Sequence, residues 1–134
     1  MEKTLKEYLA GECETVAAKM ATESDVDRLY YFSAVFGAAQ RVFNIEYSPQ
    51  VLHLFVVANW THSQLTARLQ AEQGAHLMTP SMPKGMLEAL TGIVREIAQR
   101  VREDQDFTDL LSEMCRVGYT STGNGYYLLQ VGKL

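Results

Sequence analysis

KGMLEALTGIVREIAQRVRE, residues 84–103, decides the fold class. Met86, Leu87, Leu90, Ile93, Val94, Ile97 and Val101 recur at steps of three and four and draw one apolar face. Glu88, Arg95, Glu96, Gln99, Arg100 and Arg102 take the opposite face. That pattern is an amphipathic α-helix lying on a core. Just upstream, residues 75–84 carry Pro80 and Pro83 and read as a loop. Met78 and Met82 in this loop are flexible apolar chains suited to capping the end of a core. Downstream, Asp106 caps a short fifth helix through Phe107, Leu110, Leu111, Met114 and Cys115.

The rest of the chain repeats the helical period. Leu5, Tyr8, Leu9, Cys13, Val16, Ala17 and Met20 stripe a first helix over residues 3–21. Ser24 followed by Asp27 resembles a capping box and starts a second helix that runs to about Phe43. This helix has two apolar faces. Val26, Leu29, Tyr30, Phe36 and Phe43 lie on one, and Phe32, Val35, Ala39 and Val42 on the other. A helix apolar on two sides is central in a bundle or shared with a partner. Ser48 and Pro49 start a third helix that Gly74 stops, a rod of roughly 39 Å. It is apolar almost all round from Val51 to Trp60, then narrows to Leu65 and Leu69.

The C-terminal stretch changes character. Residues 117–121 and 126–131 are strand-like and are joined by a turn containing Asn124-Gly125, a hairpin signal. The expected fold is therefore mostly α. It is an antiparallel bundle of four longer helices plus a short fifth helix, with a small C-terminal β-hairpin. Short connections between the first three helices favour antiparallel neighbours. The whole of residues 1–134 reads as a single domain, with 117–131 as a hairpin appendage.

Composition narrows the function classes. The chain has 134 residues, 47% apolar and 21% charged, with a net charge of -4 and a pI of about 5.3. This is a globular balance. Its acidity argues against a nucleic-acid partner held by phosphate neutralisation, and none is expected. The fifth helix and hairpin mimic a winged-helix arrangement, but Asp106, Asp109 and Glu113 stand where phosphates would lie. Two cysteines are too few for a disulfide scaffold. The first residues lack the apolar h-region of a secretory signal, and the run from Leu54 to Ala58 is far too short to span a bilayer. The expected location is the cytoplasm, with no membrane association. There the Asn59-Trp60-Thr61 glycosylation pattern is coincidental.

Motifs for known chemistry are missing. His53 and His62 share the third helix but lie on opposite faces, so one metal cannot take both. No Glu-x-x-His occurs, which argues against a di-iron site. Neither a P-loop, G-x-G-x-x-G nor G-x-S-x-G is present. Cys115 and His62 meet as a nucleophile pair only if the fold brings them together. No catalytic residue, metal or cofactor is expected.

Two features remain. The first is the aromatic excess of Tyr30, Tyr31, Phe32, Trp60, Tyr126 and Tyr127. It is read either as a well-filled core or as an exposed patch that marks an interface. The interface candidates are His53, Val57, Trp60, Tyr126 and Tyr127, and self-association is the commonest way to cover such a patch. The second is His62, set in the stripe of Val51, Phe55, Ala58, Leu65 and Leu69. Its plain reading is a buried imidazole bonded to a neighbour. Its functional reading is a polar group in an apolar pocket, with Tyr30, His62 and Met82 as candidate ligand contacts. The expected function is a non-enzymatic interaction protein, a homodimer burying an aromatic-rich face. The alternatives are another protein partner, a small apolar ligand bound near His62, or an enzyme using His62 as acid and base.

Overall fold

The structure, a computed structural model, describes residues 4–74 and 85–122. Among these residues there are five α-helices and no strand: α1 (Leu5–Met20), α2 (Asp25–Ile45), α3 (Pro49–Gly74), α4 (Met86–Arg102) and α5 (Thr108–Thr122). Local chemistry sets the starts. At α1 the Thr4 hydroxyl accepts from the Glu7 N–H at 3.1 Å, and the Glu7 carboxylate accepts from the Thr4 N–H at 3.2 Å. This reciprocal box satisfies two otherwise orphaned donors. At α2 the Ser24 hydroxyl accepts from the Asp27 N–H at 3.4 Å and donates to the Asp27 carboxylate at 3.0 Å. Ser48 caps α3 by accepting from the Val51 N–H at 3.3 Å, with Pro49 at the first helical position. Asp106 accepts from the Thr108 N–H at 2.8 Å at the start of α5.

The helices contact each other in a closed ring. α1 lies between α2 and α4, α2 packs on α3, α3 on α5, and α5 on α4. Side-chain pairs give the directions. Lys6, near the start of α1, meets Asp104, just past the end of α4, at 2.8 Å, so these two helices run opposite ways. Lys19 lies over the Tyr31 ring and Arg41 over the Tyr8 ring, so α1 and α2 also run opposite ways. Gln50 at the start of α3 meets Asp106 at 3.2 Å, and the Thr61 hydroxyl further along donates to the Met114 carbonyl at 3.4 Å. Helices α3 and α5 are therefore parallel. The turn before α5 passes through Asp104 at φ 54°, a left-handed conformation that Asp tolerates better than most residues.

The core runs through all five helices. It includes Leu9, Cys13, Met20, Phe32, Val35, Leu54, Leu65, Leu90, Ile97, Leu111 and Met114. One expectation needs correction. Residues 117–121, read as a strand, are helical and belong to α5, which at 15 residues is nearly as long as α1. The reason is tertiary. The stripe of Phe107, Leu110, Leu111, Met114 and Cys115 continues into half-buried Val117 and buried Gly118, against the side of α3. That packing outweighs the strand preference of Val117-Gly118-Tyr119-Thr120. The remainder of the expected hairpin lies outside the described residues.

Candidate functional site

Trp60 sits where α3 and α5 touch. A Cβ built on Gly118 would lie 2.3 Å from the Trp60 Cζ3 and 2.9 Å from Cη2, so only glycine fits beneath the indole. Trp60 is half-buried and packs on the core of its own subunit. Its neighbour Val57 is 1% exposed and faces the core of its own subunit. His53 is half-buried, and Tyr126, Tyr127 and Met82 lie outside the described residues. α5, running parallel to α3, covers the face that sequence spacing left open.

The second apolar face of α2 is also enclosed: Phe32, Val35, Ala39 and Val42 are all buried. The first is not. Leu29 is buried and Phe36 and Phe43 are half-buried, while Val26 and Tyr30 are exposed, Tyr30 at 71%. The outward surface of the α2–α3 hairpin is therefore the distinctive one. On α2 it presents Tyr30, Ala34, Gly37 and Gln40, and on α3 Asn59, Ser63 and Ala67, all exposed. Half-buried Leu52, Phe55 and Val56 lie among them. Residues 29–40 and 49–67 contain no Asp, Glu, Lys or Arg. The ion pairs gather elsewhere: Lys6–Asp104, Arg102–Glu14 and Arg100–Asp109 join α1, α4 and α5, and Arg28–Glu88 joins the starts of α2 and α4.

A cleft of about 240 Å³ opens at one end of this hairpin. Val26, Leu29 and Tyr30 of α2 line it together with His62, Thr66, Leu69 and Gln70 of α3. Tyr30 and His62, predicted as ligand contacts, are thus brought together. The His62 ring stands edge-on to Phe36 at 5.3 Å and stacks near Phe32 at 6.4 Å. Burial among these rings pushes the imidazole below its ordinary value, partly opposed by a hydrogen bond to the Leu29 backbone. Sequence reasoning missed Thr66 and Gln70. Their positions four and eight residues after His62 were the available signal, because they set all three in one row.

A larger hollow of about 490 Å³ lies at the other end, floored by Leu9, Val51, Val101 and Phe107. Its polar groups already serve each other. Lys6 pairs with Asp104, and Gln50 bridges Asp106 and the Phe107 N–H. Both cysteines are free and buried, Cys13 pushed up to about 12 by burial and the nearby Glu12 and Glu14, and Cys115 to about 11 by burial alone. Thiols held protonated at neutral pH are not nucleophiles. Cys115 sits on α5, whereas His62 lines the cleft that α3 forms with α2. Among the described residues no group of three or more His, Cys, Asp and Glu is placed to hold a metal, and no helix is long and apolar enough to cross a membrane. No family model, curated protein or solved structure matches the chain.

Proposed function

We propose that this protein is a non-enzymatic cytoplasmic interaction protein that forms a homodimer through the outward face of α2 and α3. In the same reading, α1–α4 make an antiparallel bundle that α5 closes between α3 and α4. The observation that carries it is the charge-free surface over residues 29–40 and 49–67. Depletion of charge at the centre, with an exposed aromatic such as Tyr30, is the compositional mark of an interface. At 1.5 Å per residue the two charge-free stretches are about 18 Å and about 28 Å long, so at about 10 Å wide each they present roughly 450 Å² per subunit, the low end for a specific interface. Two unpaired buried thiols suit a reducing compartment.

Gly37 provides the test. It is exposed in mid-helix, and a Cβ built there meets nothing within 4 Å. Gly37→Glu improves helix propensity by about 0.5–1 kcal/mol and places a charge at the centre of the face. The expected result is a dimer for the native chain by light scattering at micromolar concentration, and a monomer for the variant that melts no lower. A native monomer, or a variant that dimerises as the native chain does, would refute the proposal.

A further inference from the structure

We propose that the cleft between α2 and α3 binds a neutral molecule of one or two fused rings carrying an N–H or O–H donor, of the phenol or indole class. The walls set the size and the charge. At about 240 Å³ the cleft is smaller than the 300–1,000 Å³ typical of drug-sized ligands and suits a compact ring. Its side walls are Val26, Leu29 and Leu69, and among the described residues none that lines it is charged. An ionic ligand entering it would lose its hydration without gaining a counter-charge. At the mouth stands Tyr30, whose exposed ring offers an aromatic edge to a guest ring.

The polar row sets the chemistry. His62, Thr66 and Gln70 follow one another at every fourth residue of α3 along one side of the cleft. The Thr66 hydroxyl is sealed from solvent and has no hydrogen-bond partner among the described residues. A threonine inside a helix ordinarily returns its hydroxyl to the carbonyl four residues back. Here that bond is not made, and a group left so is expensive unless something else meets it. His62 is the complement. One imidazole N–H turns to the Leu29 backbone oxygen, and burial favours the neutral ring. In a neutral imidazole the second nitrogen is an acceptor. The cleft therefore offers an acceptor at His62 and the amide of Gln70 inside apolar walls, with the sealed Thr66 hydroxyl behind them. A ring that donates one hydrogen bond satisfies that set, whereas a bare hydrocarbon or an anion does not.

The test uses phenol and indole as probes, with toluene and benzoate as controls, by calorimetry and by the ¹⁵N signals of the His62 imidazole. Phenol and indole are expected to bind about tenfold more tightly than toluene, the worth of one net hydrogen bond, and to shift the His62 nitrogens. Benzoate is expected not to bind. His62→Phe keeps a ring of similar size and is expected to reduce phenol to the affinity of toluene. His62→Leu, which also removes the acceptor and keeps the wall apolar, serves the same purpose should that variant fail to fold. Equal affinity for phenol and toluene, unmoved imidazole signals, or no binding of phenol at millimolar concentration would each overturn the assignment. The Gly37→Glu variant separates this site from the dimer face, since it is expected to lose association and to bind phenol as the native chain does.

Discussion

Gly118→Ala tests the placement of Trp60 inside its own subunit. The new methyl carbon would stand 2.3, 2.9 and 3.1 Å from three atoms of the indole. Ordinary contact begins near 3.4 Å, so the ring must retreat by about 1 Å or more, which a rigid bicycle between two helices cannot do by a small twist. The relief open to a half-buried indole is to swing outward. If that uncovers about 100 Å² of apolar surface at about 25 cal/mol/Å², the loss is about 2.5 kcal/mol. Replacing a helical glycine by alanine returns up to about 1 kcal/mol. The net is a destabilisation of about 1.5 kcal/mol, or roughly 6 °C in melting temperature for a domain of this size. The assay is urea unfolding followed by tryptophan fluorescence, which reports this one site because the chain has a single Trp. Emission from the folded variant should move to the red. Trp60→Leu in the same background removes the clash, so Gly118→Ala should then be neutral or stabilising, a coupling of about 1–3 kcal/mol. A Gly118→Ala protein as stable as the native chain, with unmoved emission, would refute the packing. A change confined to the association state would return Trp60 to an interface.

Two further outcomes follow from the charged and thiol groups. Hydrogen bonds from Arg102, Arg28 and Arg100 hold the carboxyls of Glu14, Glu88 and Asp109 below their ordinary values of 4.5, 4.5 and 3.8. A carboxylate with a lower pKa in the folded state stabilises the fold above its unfolded pKa, and that contribution is lost as pH falls through the folded value. Urea midpoints should therefore decline from about pH 4.5 downward, and the Glu14→Gln, Glu88→Gln, Asp109→Asn triple variant should flatten that limb; an unchanged limb would exclude these pairs as its source. Burial keeps Cys13 and Cys115 protonated, so neither should react with Ellman's reagent at pH 8 until denaturant is added, and prompt titration of either thiol in the native protein would contradict its enclosure.

The helical class was legible because α4 carries a clean stripe, and three starts were legible because Ser24, Ser48 and Asp106 are good caps. The end of α5 was not. Asn124-Gly125 is a strong turn signal, and it drew the strand assignment back onto Val117 and Gly118, which tertiary packing holds in a helix. Nor did that reading show what stands beside Trp60. Helical spacing correctly put it with His53 and Gln64, away from His62, but a wheel cannot show that a later helix returns parallel to α3 and closes that side. In the cleft, Tyr30 and His62 were visible as polar tips in apolar stripes. Thr66 and Gln70 were not, because a single polar residue on an amphipathic helix looks like part of its wet face until a wall stands opposite it.

Helix α4 supplies an internal comparison for the bare face of α2 and α3. Where α4 meets water it carries Arg95, Glu96 and Arg102, the usual solvated surface of this chain. The α2–α3 face meets water with Tyr30, Ala34, Gly37, Asn59 and Ser63 instead, so exposure alone does not explain its composition. Folding does not explain it either, since charges at these outward positions would leave the buried side untouched. The proposed homodimer would account for it, and a second copy would be an electrostatically suitable cover even at a net charge of -4 per chain. Two subunits joined through this face keep their charged α1, α4 and α5 surfaces at least two helix layers apart, about 20 Å. That is about twice the screening length at physiological salt, so the repulsion opposing association is small.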